Sequence, residues 1–160
     1  MPRFGFLLLL LIAVPVATRR RCPNGFRRNG AACYRVVPEA VSYNTADLEC
    51  KRLGGRPVWF DTMQELSTIN ALAKQSGVES YWIGLRKLQN RWQWVNTNRP
   101  FFMHDMTFEH WRRTEPDGCC GRDVTCAFTN YKEGKIGEWD DTSCAKVPRG
   151  LNGYVCKATL

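Results

Sequence analysis

Eight cysteines constrain this chain more than any other feature of its sequence. They are Cys22, Cys33, Cys50, Cys119, Cys120, Cys126, Cys144 and Cys156. An even number of cysteines in an exported chain predicts disulfide bonds, and the Cys-x-x-Cys spacing typical of zinc sites does not occur here. Eight cysteines permit on the order of 100 different pairings, so spacing alone does not select one. A bond from the first third to the C-terminal end would close a loop of about 100 residues and contribute roughly 4–5 kcal/mol.

The N-terminal segment predicts export. Arg3 is followed by the apolar run FGFLLLLLIAVPVA, which is too short to span a bilayer as a helix and ends in small residues. We therefore interpret residues 1–18 as a signal peptide and residues 19–160 as one mature, extracellular domain; an uncleaved membrane anchor is the alternative. Since no later segment is long and apolar enough, no membrane span is expected in the mature chain.

The charge of the chain bears on its partners. The formal net charge of the full sequence is +8, which favours attraction to acidic surfaces. Nucleic acid is not an expected partner, because the chain is predicted to be exported and its basic residues are scattered along the sequence.

Two helices are predicted in the first half of the chain. NTADLECKRLGG has Asn44 or Thr45 as its N-cap and a buried face that contains Cys50. DTMQELSTINALAKQSG begins with a capping box formed by Thr62 and Glu65. Its buried residues are Leu66, Ile69 and Ala73, and Gly77 ends it.

Strands are predicted later in the chain. The segments YWIGL, RWQWV, CAFTN, KIGEW and GYVCKA are short, aromatic or β-branched runs separated by polar turns. Between Asn96 and Thr125 lies a long segment with little periodicity, and a loop of this length in a compact domain is usually functional. No repeat or linker divides the chain, so we predict a single α+β domain.

The order of several motifs resembles the C-type lectin-like domain. These motifs are CPNGFRRNGAACYRV, the cysteine-bearing helix ending in RLGG, WIGL, a Glu-Pro-Asp loop, EWDD and CAKVPRGLNGYVCK. The resemblance covers the whole mature chain and implies two helices flanking small antiparallel sheets, with a long loop that binds calcium and sugar. It also implies three disulfide bonds: Cys22 to Cys33, Cys50 to Cys156, and Cys126 to Cys144.

The Glu-Pro-Asp loop and EWDD carry the candidate metal ligands. Calcium is a hard cation that takes six to eight oxygen ligands, and a proline between two acids fixes one torsion and permits a cis peptide bond. By resemblance, Glu115, Asp117, Asp140 and Asp141 are calcium ligands. Glu115, Asp117 and Asp140 would also bind a glycan with vicinal hydroxyls. The alternatives are a solvated acidic loop and calcium bound only for structure.

The sequence departs from the family pattern at several positions. Glu-Pro-Asp mixes the mannose-type Glu-Pro-Asn with the galactose-type Gln-Pro-Asp, and Trp-Asp-Asp replaces Trp-Asn-Asp. Because ionised Asp only accepts hydrogen bonds, the site loses amide donors. A fifth ligand position falls on Val124, and Asp123 could replace it only if the backbone adjusts. At an auxiliary calcium site the chain has Arg86 and Lys87, so no calcium is expected there.

Cys119 and Cys120 lie outside the three implied bonds. They could pair with each other and stiffen the loop, or pair with another chain and give a covalent homo-oligomer; reshuffling with the other bonds is a third alternative. Among aromatic residues, Phe101, Phe102 and Phe108 are candidates for packing on a sugar face.

Two functions are therefore considered. The first is a secreted, calcium-dependent lectin that recognises glycans, for example microbial ones in innate immunity. The second is an interaction or structural protein that uses the same fold to contact protein or mineral surfaces. An enzyme is not expected, because no pair of general base and nucleophile is visible.

Overall fold

The computed structural model describes residues 21–95, 103–105, 108–119, 121–130 and 137–160. The predicted signal peptide, Phe101, Phe102 and Cys120 lie outside these ranges. The described residues form an α+β fold with two helices, as expected, and contain nine strands. The helices are α1 (Tyr43–Arg52) and α2 (Met63–Gln75). The strands are β1 (Arg27–Asn29), β2 (Ala32–Val37), β3 (Arg56–Pro57), β4 (Tyr81–Leu88), β5 (Arg91–Val95), β6 (Met103–Asp105), β7 (Val124–Thr129), β8 (Trp139–Ser143) and β9 (Gly153–Thr159).

Helix α1 begins earlier than the sequence predicted. Its N-cap is Ser42, whose hydroxyl accepts a hydrogen bond from the Thr45 backbone N–H at 3.3 Å. The prediction of Asn44 or Thr45 as N-cap was therefore wrong. The reason is that buried Tyr43 belongs to the apolar face, with Ala46 and Cys50 following it, so the first turn of the helix precedes the position predicted from polar residues alone.

Helix α2 confirms its predicted start and buried face. Thr62 is the N-cap, and its hydroxyl accepts from the Glu65 N–H at 3.1 Å. The reciprocal bond of a capping box does not go to Thr62, however, because Glu65 accepts from the Asp61 N–H at 2.9 Å. The buried residues of the helix are Leu66, Ile69, Asn70 and Ala73.

The strands form one mixed sheet whose path runs β1-β2-β9-β4-β5-β6. Strand β3 pairs with β9, and β7 pairs with both β4 and β8. Neighbouring strands are antiparallel except β4 and β9, which are parallel. This connectivity joins β8 to the sheet through β7 and so brings the Trp-Asp-Asp sequence beside the described part of the long loop.

One predicted strand had the wrong start. Strand β8 begins at Trp139, whereas a strand was predicted over KIGEW, whose Gly137 and Glu138 are not in a strand and whose Lys135 and Ile136 lie outside the described residues. Gly137 has φ +87°, a conformation suited to a turn, and the next four residues after Trp139 are Asp140, Asp141, Thr142 and Ser143. Because these side chains are polar, the hydrophobic pattern gave no sign that the strand continues through them. Strands β1, β2, β3 and β6 were not among the segments predicted as strands.

The core is rich in tryptophan. Trp82, Trp94 and Trp139 are fully buried, whereas Trp92 and Trp111 are partly buried and lie against the core with their rings 4.9 Å apart. The Trp94 and Trp139 rings meet edge to face at 5.2 Å. The packing of such rings contributes beyond their buried area, so Trp139 fixes β8 firmly at the position where the acidic residues begin.

Three disulfide bonds join the pairs that the family resemblance implies. They are Cys22–Cys33, Cys50–Cys156 and Cys126–Cys144. The second connects α1 to β9 across 106 residues of sequence. The third connects β7 to the residue that follows β8, and so holds together the hairpin that carries Asp140 and Asp141.

Neither α1 nor α2 combines the length and apolar character needed to cross a bilayer, and the described residues contain no other α-helix.

Candidate functional site

Backbone hydrogen bonds fix the Glu-Pro-Asp loop beside β8. The Trp139 N–H donates to the His110 carbonyl at 2.8 Å, and the Arg112 N–H donates to the Trp139 carbonyl at 2.9 Å. The Glu115 N–H then donates to the Arg112 carbonyl at 2.8 Å, which closes a turn. Because these bonds hold residues 110–115 against the start of β8, the Glu115 side chain faces the two aspartates that follow Trp139.

Three carboxylates converge at this place. Oxygen atoms of Glu115, Asp140 and Asp141 all lie within 4.8 Å of one another. Their side chains are largely shielded from water, with exposed fractions of 4% for Glu115 and 14% for Asp140, and Asp141 as a residue is 5% exposed. The cluster draws on two segments that are far apart in sequence, as the resemblance implies for a metal site.

The Asp141 carboxylate is incompletely satisfied. Its Oδ2 accepts from the Gly118 N–H at 3.1 Å, whereas its Oδ1 is buried and has no hydrogen-bond partner among the described residues. A buried oxygen without a partner costs free energy. Burial, together with hydrogen bonding and repulsion from Glu115, raises the pKa of Asp141 to about 6, although the bond from Gly118 lowers it. Asp141 therefore has a carboxylate oxygen that could serve as a ligand to a cation.

Among the described residues, Arg112 is a charged partner of the cluster that the sequence did not predict. Its Nη2 donates to Glu115 Oε1 at 2.8 Å and to Asp140 Oδ2 at 2.6 Å, and its Nε donates to the same Asp140 oxygen at 3.1 Å. Burial raises the pKa of Asp140, and the hydrogen bonds from Arg112 oppose that rise. Arg112 lies three residues before Glu115 in the sequence. This spacing brings two side chains together in a helix, but this segment is a loop, so the spacing did not predict the contact.

Asp117 does not join the group of three carboxylates. Its Oδ1 accepts from the Cys119 N–H at 2.7 Å, and its own N–H donates to Glu115 Oε2 at 3.2 Å. The residue is exposed. Its negative charge still contributes to raising the pKa values of Asp140 and Asp141, so it lies near the cluster. The Glu115–Pro116 peptide bond between the two predicted ligands is cis.

Asp123 is also outside the group. It is exposed, has φ +57°, and its carbonyl oxygen accepts from the Thr125 hydroxyl at 3.4 Å. Val124, at the position where the family has a ligand, pairs with Ser143 in the β7–β8 hairpin. The positive φ of Asp123 shows that the backbone turns sharply there, one residue before the strand begins.

Other predicted positions have the following surroundings. Cys119 is disulfide-bonded, and Cys120 lies outside the described residues, so the pairing of these two cysteines remains a prediction. The Arg86 guanidinium lies 5.2 Å from the centre of the Tyr43 ring. Phe108 packs against the core with its ring 5.6 Å from that of Trp139.

The residues present suit a hard divalent cation. Carboxylate oxygens are the ligands that calcium prefers, three carboxylates converge from two segments, and one oxygen of Asp141 is buried with no hydrogen-bond partner among the described residues. Arg112 is the feature that a metal site would not require, because its guanidinium already bonds to two of the three carboxylates.

Sequence comparison identifies the family. Residues 39–158 match the family model described as Lectin C-type domain. The chain therefore belongs to the C-type lectin domain family. E-selectin from Homo sapiens is 30% identical over 126 residues, which make up 78% of this chain and 20% of E-selectin. The chain thus spans about a fifth of the length of that relative.

Solved structures share the fold. The cow carbohydrate-recognition domain of CD23, determined in the presence of a GlcNAc2Man3 oligosaccharide, superposes with a TM-score of 0.66 at 26% identity. The match covers 88% of this chain and 97% of that one. A Ca2+-dependent type II antifreeze protein in its Ca2+-free form superposes with a TM-score of 0.68 at 23% identity, over 86% of this chain and 100% of the other. The same fold thus occurs in a carbohydrate-recognition domain and in an antifreeze protein.

Proposed function

We propose that this chain is a secreted, calcium-dependent carbohydrate-binding protein that recognises glycans, including those of microbial surfaces in innate immunity. In this proposal residues 1–18 are a signal peptide and residues 19–160 form the mature extracellular domain. Membership of the C-type lectin domain family supports the proposal. The disulfide bonds support export, because such bonds persist in oxidising compartments.

The single observation that carries the calcium proposal is the convergence of Glu115, Asp140 and Asp141 within 4.8 Å, with a buried and unpartnered oxygen on Asp141. These three residues would hold the ion. Asp117 and Asp123 would join them only after their side chains or backbone move, since both lie outside the group of three. When bound, calcium would offer open coordination positions to two neighbouring hydroxyls of a sugar.

The carboxylates would also recognise the sugar directly. An ionised carboxylate accepts hydrogen bonds from hydroxyl groups, and such charge-assisted bonds are about twice as strong as neutral ones. Glu115 and Asp140, with Asp117 at the exposed edge, are the acceptors proposed for a glycan with vicinal hydroxyls. The presence of an oligosaccharide with the similar CD23 domain supports glycans as the ligand class.

Binding rather than catalysis is proposed for the whole domain. C-type lectin domains are in general non-enzymatic. In the described residues three carboxylates converge beside the Arg112 guanidinium and the Thr114 hydroxyl, a set of groups suited to binding a cation or sugar hydroxyls.

A second candidate function is binding of a protein or mineral surface with calcium in a structural role or absent. The specific observation in its favour is the bridge from Arg112 to Glu115 and Asp140, because an internal cation already connects the loop to β8. The shared fold of an antifreeze protein is compatible with such a use.

Affinity chromatography separates the two functions. The refolded mature protein is applied to immobilised mannose, galactose and N-acetylated sugars in millimolar calcium, and then eluted with a chelator. Retention followed by chelator elution is expected for the lectin, and Asp141→Asn should weaken it because the substitution removes the negative charge and one of the two carboxylate oxygens. Passage through every column in calcium would contradict the carbohydrate function and favour the second candidate.

We further propose that Cys119 or Cys120 governs assembly, either by bracing the loop or by linking two chains into a homo-oligomer. Linking two copies would raise avidity without any new contact. A non-reducing gel of the same preparation, compared with the Cys119→Ser/Cys120→Ser variant, distinguishes a covalent oligomer from a monomer. A single monomeric band for both proteins would exclude the link between chains.

A further inference from the structure

We propose that Arg112 is an internal cation that holds the binding loop closed in the absence of metal and competes with a divalent ion for Glu115 and Asp140. The inference rests on the proposed function in so far as calcium binds at this cluster. It adds a residue to the site that neither the sequence motifs nor the family match identifies.

The geometry is that of a bridge between two segments. One Arg112 nitrogen, Nη2, lies 2.8 Å from Glu115 Oε1 and 2.6 Å from Asp140 Oδ2, and Nε lies 3.1 Å from that same Asp140 oxygen. The guanidinium thus connects the Glu-Pro-Asp loop to β8. A planar guanidinium presents several N–H donors in a fixed arrangement, which suits such simultaneous contact with two carboxylates.

The position of Arg112 is set by the fold. Its backbone N–H donates to the Trp139 carbonyl at 2.9 Å, and Trp139 is fully buried immediately before Asp140. The backbone of Arg112 is therefore held next to Asp140. Because of this, the arginine side chain loses little conformational entropy when it forms the bridge.

The shielding of the three groups strengthens the bridge. The exposed fractions of the side chains are 26% for Arg112, 4% for Glu115 and 14% for Asp140. Ion pairs in this setting are screened less by salt and water than pairs on an open surface. Hydrogen bonds to charged groups are also stronger than neutral ones.

The Arg112 guanidinium pairs with only two of the three carboxylates, so a divalent ion can still gain by binding at the cluster. Arg112 pairs with Glu115 and Asp140, whereas Asp141 accepts from the Gly118 N–H and, among the described residues, keeps one buried oxygen without a partner. One positive charge thus faces three neighbouring carboxylates. A divalent ion could neutralise more of this charge, but it needs the same Glu115 and Asp140 oxygens that the guanidinium occupies.

Without metal, the bridge keeps the loop next to β8 and limits repulsion among the carboxylates. With metal, the guanidinium must leave at least one of its partners, and the affinity for the ion is reduced by the free energy of the bonds that break. Removing the guanidinium should therefore strengthen metal binding and weaken the metal-free fold.

Calcium titration by calorimetry tests the competition. Arg112→Gln should bind calcium about tenfold or more tightly than the wild type, because tenfold corresponds to one broken charge-assisted contact. Arg112→Lys, which keeps the charge but cannot bond to both carboxylates in the same way, should lie between them. Arg113→Gln is the matched control: its side chain is exposed, it removes the same charge, and it should leave the affinity within about twofold.

Thermal unfolding in chelator tests the bridge independently of calcium. Arg112→Gln should lower the Tm by roughly 3 °C or more relative to Arg113→Gln, because a stabilising interaction is lost. Equal Tm values would overturn the bridging role.

The outcomes distinguish this inference from the proposed function. If the wild type and Arg112→Gln bind calcium equally well, the competition is wrong while the calcium site stands. If neither binds calcium, the calcium-dependent function fails and the competition fails with it, whereas a lower Tm of metal-free Arg112→Gln would still support the bridge.

Discussion

At the scale of single residues, the acidic cluster combines burial, repulsion and unequal partnering. Glu115, Asp140 and Asp141 are close enough to repel one another, and each is largely shielded from water. Arg112 and the Gly118 N–H relieve only part of this unfavourable charge. Burial above all, followed by hydrogen bonding and repulsion from Glu115, raises the pKa of Asp141 to about 6, far from the ordinary value for an aspartate.

This raised pKa predicts that calcium affinity depends on pH. A proton and a metal ion compete for the same carboxylate, and the pKa of Asp141 is raised from 3.8 to about 6 in the absence of metal. Above pH 6 the group is ionised and available. Below pH 6 it is protonated, so the affinity should fall by up to about tenfold per pH unit from this group alone.

Calorimetric titrations between about pH 7.5 and pH 5 measure this dependence. Asp123→Asn is the control, because Asp123 is an exposed aspartate outside the group of three, and it should keep the decline near pH 6. Asp141→Asn should bind weakly at every pH without that decline. An affinity of the wild type that stays constant down to pH 5 would contradict the assignment of Asp141 as a ligand.

At the scale of secondary-structure elements, the glycine of the WIGL motif allows β4 to approach β3. A Cβ atom added at Gly84 would lie 2.4 Å from the Pro57 carbonyl oxygen and 2.5 Å from Val95 Cγ2. The Gly84 N–H also donates to the Val58 carbonyl at 2.6 Å. Strand β4 can therefore lie against this segment only because residue 84 has no side chain.

Gly84→Ala should destabilise the protein by about 2–3 kcal/mol or more, because backbone atoms must move to admit the methyl group. Gly121→Ala is the matched control: its nearest neighbouring atom would be 3.8 Å from the added Cβ, an ordinary contact, and its φ is not positive. Urea unfolding of both variants measures the difference. Similar free energies of unfolding for the two would show that the sheet relaxes around residue 84.

The sequence predicted those elements whose capping residues or hydrophobic pattern indicate which side chains are buried. Helix α2 has a capping threonine and a regular apolar face, and both appear in the structure. Strand β4 has a continuous apolar run and is buried. Strand β8 was misjudged because its polar residues serve the cluster rather than the core, and the N-cap of α1 was misjudged because Tyr43 was not recognised as part of the buried face.

The candidate site was predictable in part for a related reason. The motifs drew attention to Glu115, Asp140 and Asp141, which the fold brings together. They gave no sign of Arg112, because its relation to Asp140 depends on the pairing of a loop with β8, and that pairing is a tertiary contact between residues 28 positions apart. The side-chain positions of Asp117 and Asp123 depend on local turns in the same way, so residue type alone did not predict them.

At the scale of the whole molecule, the disulfide bonds close loops of very different lengths. Cys50–Cys156 closes a segment of 106 residues, whereas Cys22–Cys33 closes one of 11. In the chain-entropy model the larger loop restricts the unfolded chain more. The bond between α1 and β9 should therefore contribute more to stability than the bond in the N-terminal hairpin.

Replacing both members of each pair by alanine tests this difference. Cys50→Ala/Cys156→Ala should cost roughly 4–5 kcal/mol and Cys22→Ala/Cys33→Ala roughly 3 kcal/mol, both in the chain-entropy model. Both members of the first pair are fully inaccessible, whereas Cys22 of the second pair is only partly buried, so the thermal and denaturant midpoints should fall most for the first variant. Guanidinium unfolding under non-reducing conditions measures both. A larger loss for the N-terminal pair would show that restriction of the unfolded chain does not govern the stability of this fold, and that local packing around the hairpin does.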